Sequence, residues 1–183
     1  MRRWASIAIA ALALLAVSGV AAYEIARPQG PAGREAHWQE IAWPFLRDAW
    51  PAGRAFRCRG CDQAVELYVR PKIGFCNCDA GITDDDEVDR VSDLDLISER
   101  FAPLAPGDAV HVAGMAGRAR AYDLHMSDGL RHVAIGIALH HRCDVLVVVV
   151  QSGASAIGLQ RAAIAFLETP EMKHRLMVAL REQ

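Results

Sequence analysis

From residue 145 to residue 150 the chain reads Val-Leu-Val-Val-Val-Val, six apolar residues in succession, five of them β-branched. Successive residues of a strand face opposite sides of a sheet, so a run with no polar alternate is stable only where both faces are covered. This places 145–150 at the centre of a sheet with an apolar layer on each side. Further strands surround it in the sequence. Val65, Leu67 and Val69 alternate with Glu66 and Tyr68, a period of two with one apolar face. Pro71-Lys72 is expected to end that strand, with a second extended piece over 73–78. Residues 109–113 and 118–124 also read as strands, joined by a Gly114-Met115-Ala116-Gly117 loop. Ser127-Asp128-Gly129 then turns the chain into a strand over 131–139.

Helical spacing takes over after Ser155. Leu159, Ala163, Phe166 and Leu167 share one face, as do Met172, Leu176, Ala179 and Leu180. Thr169-Pro170-Glu171 starts the second helix with a capping hydroxyl, a proline at the first helical position and an acid near the positive end of the dipole. Strands in succession followed by helices in succession define the α+β class: a mostly antiparallel sheet with the C-terminal helices covering one face. Upstream, Trp38, Trp43, Phe45, Trp50 and Phe56 are interrupted by Pro44 and Pro51. The prolines forbid a continuous helix, so a short helix over 35–42 is expected, then an extended segment laying its aromatics onto the domain.

The first residues bear on where such a domain works. Arg2 and Arg3 precede an uncharged apolar run over 7–17, which ends in Ser18-Gly19 and the small residues Val20-Ala21-Ala22. The arginines stay on the cytoplasmic side while the apolar run enters the bilayer, the pattern of an N-terminal signal peptide or anchor helix. The uncharged stretch from Trp4 to Ala22 is 19 residues, close to a membrane span. Its apolar core is shorter and rich in alanine, so cleavage is favoured over retention. Arg2-Arg3 lacks the flanking residues of a twin-arginine signal. The expected organisation is 1–22 as signal or anchor, 23–34 as a Pro/Gly linker and 35–183 as one exported domain. That domain would be periplasmic, secreted or held at the inner membrane facing the periplasm. Hydrophobic residues at 52 % and charged residues at 23 % exclude wholesale disorder. A net charge of −2 argues against a dedicated nucleic-acid binder.

Export changes what the cysteines mean. Cys58 and Cys61 form a CxxC, and Cys76 and Cys78 a CxC, with 14 residues between the two motifs. In a reducing compartment four thiolates so spaced would suit zinc. An oxidising one converts them to disulfides. Closing Cys76 onto Cys78 would make a very small ring, so bonds between the clusters are expected, 58–76 with 61–78 or 58–78 with 61–76. A redox-active pair is the remaining alternative. Arg57 and Arg59 beside Cys58 favour the CxxC for it, whereas Asp79 disfavours a thiolate at Cys78. Cys143 is left over, to be a buried free thiol or an intermolecular bridge.

The acidic run Asp84-Asp85-Asp86-Glu87, continued by Asp89, Asp93 and Asp95, has two readings. Clustered carboxylates suit Ca²⁺ or another hard cation, although Asp89 stands where an EF-hand needs glycine. The favoured reading is a helix start with Thr83 as N-cap, Asp86 completing a capping box, and Val88 and Val91 facing the core. His140 and His141 beside Cys143, with His125-Met126 across a hairpin, would make a soft-metal set for copper. Adjacent residues on a strand point apart, which weakens it. His111, between Val110 and Val112, is expected to face solvent. No G-x-S-x-G, Walker, H-E-x-x-H or G-x-G-x-x-G sequence occurs. Ser152-Gly153-Ala154-Ser155, between a strand and a helix, is where a hydrolase serine would sit.

These readings converge on an exported, disulfide-stapled cell-envelope protein with a binding or accessory role and no evident catalytic site or cofactor. Its partner would be an envelope protein or small ligand, with the membrane engaged through 1–22 if that segment is retained. A metal or thiol redox protein using Cys58, Cys61, Cys76 and Cys78, with zinc or copper, is the first alternative. A small hydrolase is the second.

Overall fold

The valine run lies at the heart of the molecule. In the computed structural model, Leu146, Val148 and Val150 look into one core while Val145, Val147 and Val149 look into another, all at most 1 % exposed. The structure describes residues 37–46, 48–61, 63–74, 80–153 and 155–181. The signal or anchor segment, the linker, Cys76, Cys78 and Asp79 lie outside the described residues.

Among the described residues eight strands form one sheet: β1 (His37–Ile41), β2 (Arg54–Arg59), β3 (Val65–Lys72), β4 (Phe101–Pro103), β5 (Asp108–Val112), β6 (Met115–His125), β7 (Arg131–His141) and β8 (Asp144–Ser152). Their order is β1-β2-β3-β8-β7-β6, and β4 and β5 both pair with the free side of β6. Every pairing is antiparallel. Three helices accompany the sheet: α1 (Asp85–Val91), α2 (Ala156–Leu167) and α3 (Pro170–Ala179), with a 3-10 turn at Leu94–Leu96. This is the α+β, mostly antiparallel arrangement that the sequence implies. Among the described residues no helix is long and apolar enough to cross a membrane.

The terminal helices α2 and α3 pack Leu159, Ala163, Leu167, Met172 and Leu176 onto one face of the sheet, against Leu67, Ile135, Ile137 and Leu139. Each fully buried side chain of this size contributes about 2 kcal/mol. Thr169 caps α3 through its hydroxyl, which accepts from the Met172 amide, and Pro170 takes the first turn. The opposite face is shallower. There β7 presents Ala134, Gly136 and Ala138, and α1 lays Val88 and Val91 over it. A Cβ at Gly136 would stand 2.6 Å from Ser92 Oγ, so the missing side chain is what lets the end of α1 approach the sheet.

Several local expectations are corrected. Where a helix over 35–42 is expected, the described residues His37–Ile41 form an edge strand on β2, with Trp38 stacked on Phe166 of α2 at 4.7 Å. Pro71 and Lys72 do not break β3 but continue it, paired with Leu146 and Val145. The proline is tolerated because β2 starts only at Arg54, opposite Val69, so β3 has a partner on one side alone at that point. Ile73 and Gly74 then turn, and the rest of the second extended piece lies outside the described residues. β6 starts at Met115 rather than Arg118. The turn before it is the two residues Ala113 and Gly114, both with positive φ (53° and 80°), which matches the twist of a tight hairpin.

Candidate functional site

The hairpin between β2 and β3 is closed at its tip by a disulfide from Cys58 to Cys61, Cα atoms 5.9 Å apart. For these two cysteines the expected bonds between clusters are therefore corrected to a bond within the CxxC. Gly60, at φ 85°, reverses the chain and brings Cys61 back to the last inward-facing residue of β2. Cys143, expected as a buried free thiol or an intermolecular bridge, is instead exposed in the β7–β8 turn and disulfide-bonded. Its partner lies outside the described residues. Arg57 and Arg59 do not stand over the Cys58 sulfur. Strand alternation sends them to the opposite face, where Arg57 donates to Glu66 (2.9 and 2.7 Å) and Arg59 to Gln39 (2.6 Å).

The neighbouring strand holds a feature that sequence reasoning missed. On β3, Glu66, Tyr68, Arg70 and Lys72 all face the α1 side, and Arg70 and Lys72 are only 2 % and 6 % exposed. The Arg70 guanidinium donates to both oxygens of Asp93 (2.6 and 2.7 Å) and to both of Asp48 (2.9 and 2.7 Å). Lys72 Nζ lies 2.8 Å from Asp93 and donates to the Val91 carbonyl. Burial works against charge on Arg70, but Asp93 and Asp48 more than offset it and keep the guanidinium protonated. Asp48 belongs to the connection between β1 and β2, which crosses this face as a strap. Trp43 and Phe45 of the strap pack edge-on against Tyr68, and the Trp43 and Trp50 rings lie over Arg70 and Lys72. The sequence expectation of an extended aromatic segment laid on the domain describes this strap. The signal for the charges beneath it was the Arg70-x-Lys72 alternation continuing the polar face of β3.

Further along this face a hydrogen-bonded chain crosses three strands, β7, β8 and β3. His132 Nδ1 meets Gln151 Oε1 at 3.0 Å, Gln151 donates to Tyr68 Oη at 3.3 Å, and Tyr68 donates to Glu66 at 2.5 Å. Burial and the Glu66 carboxylate both push the Tyr68 phenol up, so at neutral pH it is a donor and not a base. Burial alone would raise Glu66, yet the Tyr68 and Arg57 bonds outweigh it and hold the carboxyl below its ordinary range.

The acidic run is distributed among structural partners. Asp84, not Thr83, is the N-cap of α1, accepting from the Glu87 amide, and it is Glu87 rather than Asp86 that reaches back, to the Thr83 amide. Asp85 accepts from Arg118 (2.5 Å) and from the Gly107 amide, bonds that lower its carboxyl. Asp89 accepts from Arg120 (2.7 Å) and Tyr122 (2.6 Å). Asp86 and Asp95 are exposed. Among the described residues no three His, Cys, Asp or Glu side chains converge as a metal site. His140 and His141 lie on opposite faces of β7, and His140 packs against Gly81. His125 pairs with Asp123 at the far end of the β6–β7 ladder, nine residues or about 30 Å from His140. The soft-metal set is thereby dispersed. His111 is exposed on β5, as expected. Ser152 ends β8 at 1 % exposure, and Ser155 occupies the N-cap position of α2 without a side-chain cap bond.

On the helical face, the late start of β2 leaves a hollow of about 300 Å³ between β3, β8 and α3, with Arg54 and Arg175 at its margin and the core residues Val69, Leu146, Met172 and Leu176, all at most 3 % exposed, beneath it. A smaller cavity of about 120 Å³ adjoins it beside Trp38 and Phe166. Glu40, on β1, accepts from Arg54 (2.9 and 2.8 Å) and Arg175 (3.0 Å), bonds that lower its carboxyl, and Arg175 also pairs with Glu171. Elsewhere a hollow of about 530 Å³ beside Ser98, Glu99, Arg100 and His125 is lined mostly by polar and charged side chains. No protein-family model matches this chain, and no curated protein matches it.

Proposed function

We propose that the chain is an exported, disulfide-bonded domain of the cell envelope that works by binding rather than by chemistry of its own. It is periplasmic, secreted or held at the inner membrane through residues 1–22, and it meets an envelope protein or a small ligand, not nucleic acid. The observation that carries this reading is the closed Cys58–Cys61 bond, joined by a bonded Cys143. Such bonds persist in oxidising compartments and are rare in reducing ones. The basic and apolar start of the sequence supports the same compartment.

A thiol redox role draws on the same bond, because it closes within a CxxC. Cys58 is nonetheless buried on a strand in the apolar core, and both flanking arginines are engaged on the other face. Among the described residues it lies on a strand and not at a helix N-terminus, the position that favours a reactive cysteine. Fractionation with intact mass separates these readings. The exported protein is expected with the envelope material, about 4 Da lighter before reduction than after it. Cys58–Cys61 should also resist a glutathione buffer near physiological potential. Full-length chain with free thiols in the soluble cytosolic fraction overturns the proposal. A pair that equilibrates at about −200 mV replaces it with the redox role.

A further inference from the structure

We infer that Cys143 is tied to the Cys76-x-Cys78 motif, that either of those two sulfurs can hold it, and that one of the five sulfurs therefore stays a thiol. This goes beyond the binding role proposed above and does not rest on it.

The cysteines are few enough to assign by elimination. The chain has five, at positions 58, 61, 76, 78 and 143. Cys58 and Cys61 are bonded to each other, and Cys143 is bonded as well, which leaves Cys76 and Cys78 to supply its partner. An odd number cannot be paired completely within one chain. Closing Cys76 onto Cys78 would make a very small ring and leave Cys143 with no sulfur to bond.

Described residues on both sides of the motif stand at the turn that carries Cys143. Two positions before Cys76, the Gly74 amide donates to Asp144 Oδ1 at 2.8 Å, and Asp144 directly follows Cys143. This contact continues the β3–β8 ladder, whose last pair is Lys72 with Val145. Three positions after Cys78, Gly81 lies against the imidazole of His140, where a Cβ would come 2.7 Å from Nδ1. His140 pairs with Val145 across the same turn. A residue spans at most about 3.6 Å, so Cys76 stays within roughly 7 Å of Gly74 and Cys78 within roughly 11 Å of Gly81. The motif is thus anchored to the turn from either end, and neither sulfur is privileged.

Cys143 is exposed, whereas Cys58 is 6 % exposed inside the core. The bond at Cys143 is therefore the one an attacking thiolate can reach. The spare sulfur of the motif sits two positions from the bonded one. As a thiolate it attacks Cys143 Sγ, the old S–S bond breaks as the new one forms, and the displaced sulfur departs as a thiolate. Electrons balance without an oxidant.

The test unfolds the purified full-length chain without reductant in the presence of N-ethylmaleimide and maps its peptides by mass. The wild-type chain should carry one adduct, at Cys76 or Cys78, with Cys143 recovered bonded to the other. Cys76→Ser and Cys78→Ser should each lose the adduct and keep Cys143 bonded to the sulfur that remains. The double variant should carry its one adduct at Cys143. Three or more adducts on the wild-type chain overturn the proposal, as does none with no small-thiol adduct in its place. A Cys143–Cys143 peptide joining two copies, or a free Cys143 in either single variant, overturns it too.

Discussion

Arg70 and Lys72 sit almost wholly out of water on one strand, and they are stable there because carboxylates reach them from two separate parts of the chain. Asp93, at the end of α1, serves both cations, while Asp48 on the strap serves Arg70 alone and stays partly in solvent. A buried charge that loses its partner costs far more than the pair gained by forming. Asp93→Asn should therefore destabilise the fold by about 3 kcal/mol, and Asp48→Asn by clearly less, read from urea midpoints at pH 7. The two variants also separate by pH. The Arg70 bond, aided by the Trp50 amide, holds the Asp48 carboxyl at about 2, below its ordinary 3.8. A lowered folded-state value stabilises the protein above the unfolded value and is lost as pH falls through the folded one. Wild type and Asp48→Asn should thus differ at pH 5, approach each other as pH falls to 2, and converge only below it. A difference that stayed constant down to pH 2 would mean that Asp48 holds the strap by shape and not by charge.

At the scale of elements, the sequence makes visible those whose pattern is carried by their own side chains. The valine run, the amphipathic helices with the Thr169-Pro170 start, and the strand over 131–139 all appear where their periodicity puts them. What was missed depends on partners distant in sequence. β1 and β2 lack a clean alternation and become strands because β3 offers an edge. The polar row of β3 is buried because the strap and the end of α1 both cover it. Cys58 and Cys61 pair with each other because Gly60 turns the chain, which their spacing does not reveal. Gly117 gives an element-scale test of the central ladder. It lies opposite Leu139 in the β6–β7 pair, and a Cβ there would fall 2.0 Å from the Ala138 carbonyl oxygen. Gly117→Ala has only backbone to push against, so it should cost about 3 kcal/mol and lower the melting temperature. Gly114→Ala, with open space around it, should suffer only the strain of its positive φ. Equal losses at the two positions would show that the β6–β7 approach is not tight. At the CxxC, replacing both cysteines by alanine should cost about 2 kcal/mol, since the bond closes a very short loop.

Across the whole molecule, stability should be graded from the centre of the sheet outward. β7 and β8 have a strand on either side and an apolar layer above and below, whereas β1 and β4 are edges with most side chains in water. Amide exchange then separates them. Ile135, Ile137, Val147 and Val149 should exchange only through global unfolding, at the free energy measured with urea, while Trp38 to Glu40 should open locally at much lower cost. The edge is not independent, however. Trp38 stacks on Phe166 of α2, and Glu40 bridges Arg54 to Arg175 of α3, so β1 and the terminal helices are joined across the hollow. Exposed ion pairs of this kind are weak, and Glu40→Gln should raise exchange in β1 and α3 by about tenfold at most while leaving β7 untouched. If exchange rose in β1 alone, the bridge would be a crystal-like contact of two surfaces without energetic coupling. If it rose in both, β1 and α3 would open as one cooperative unit coupled through a single carboxylate.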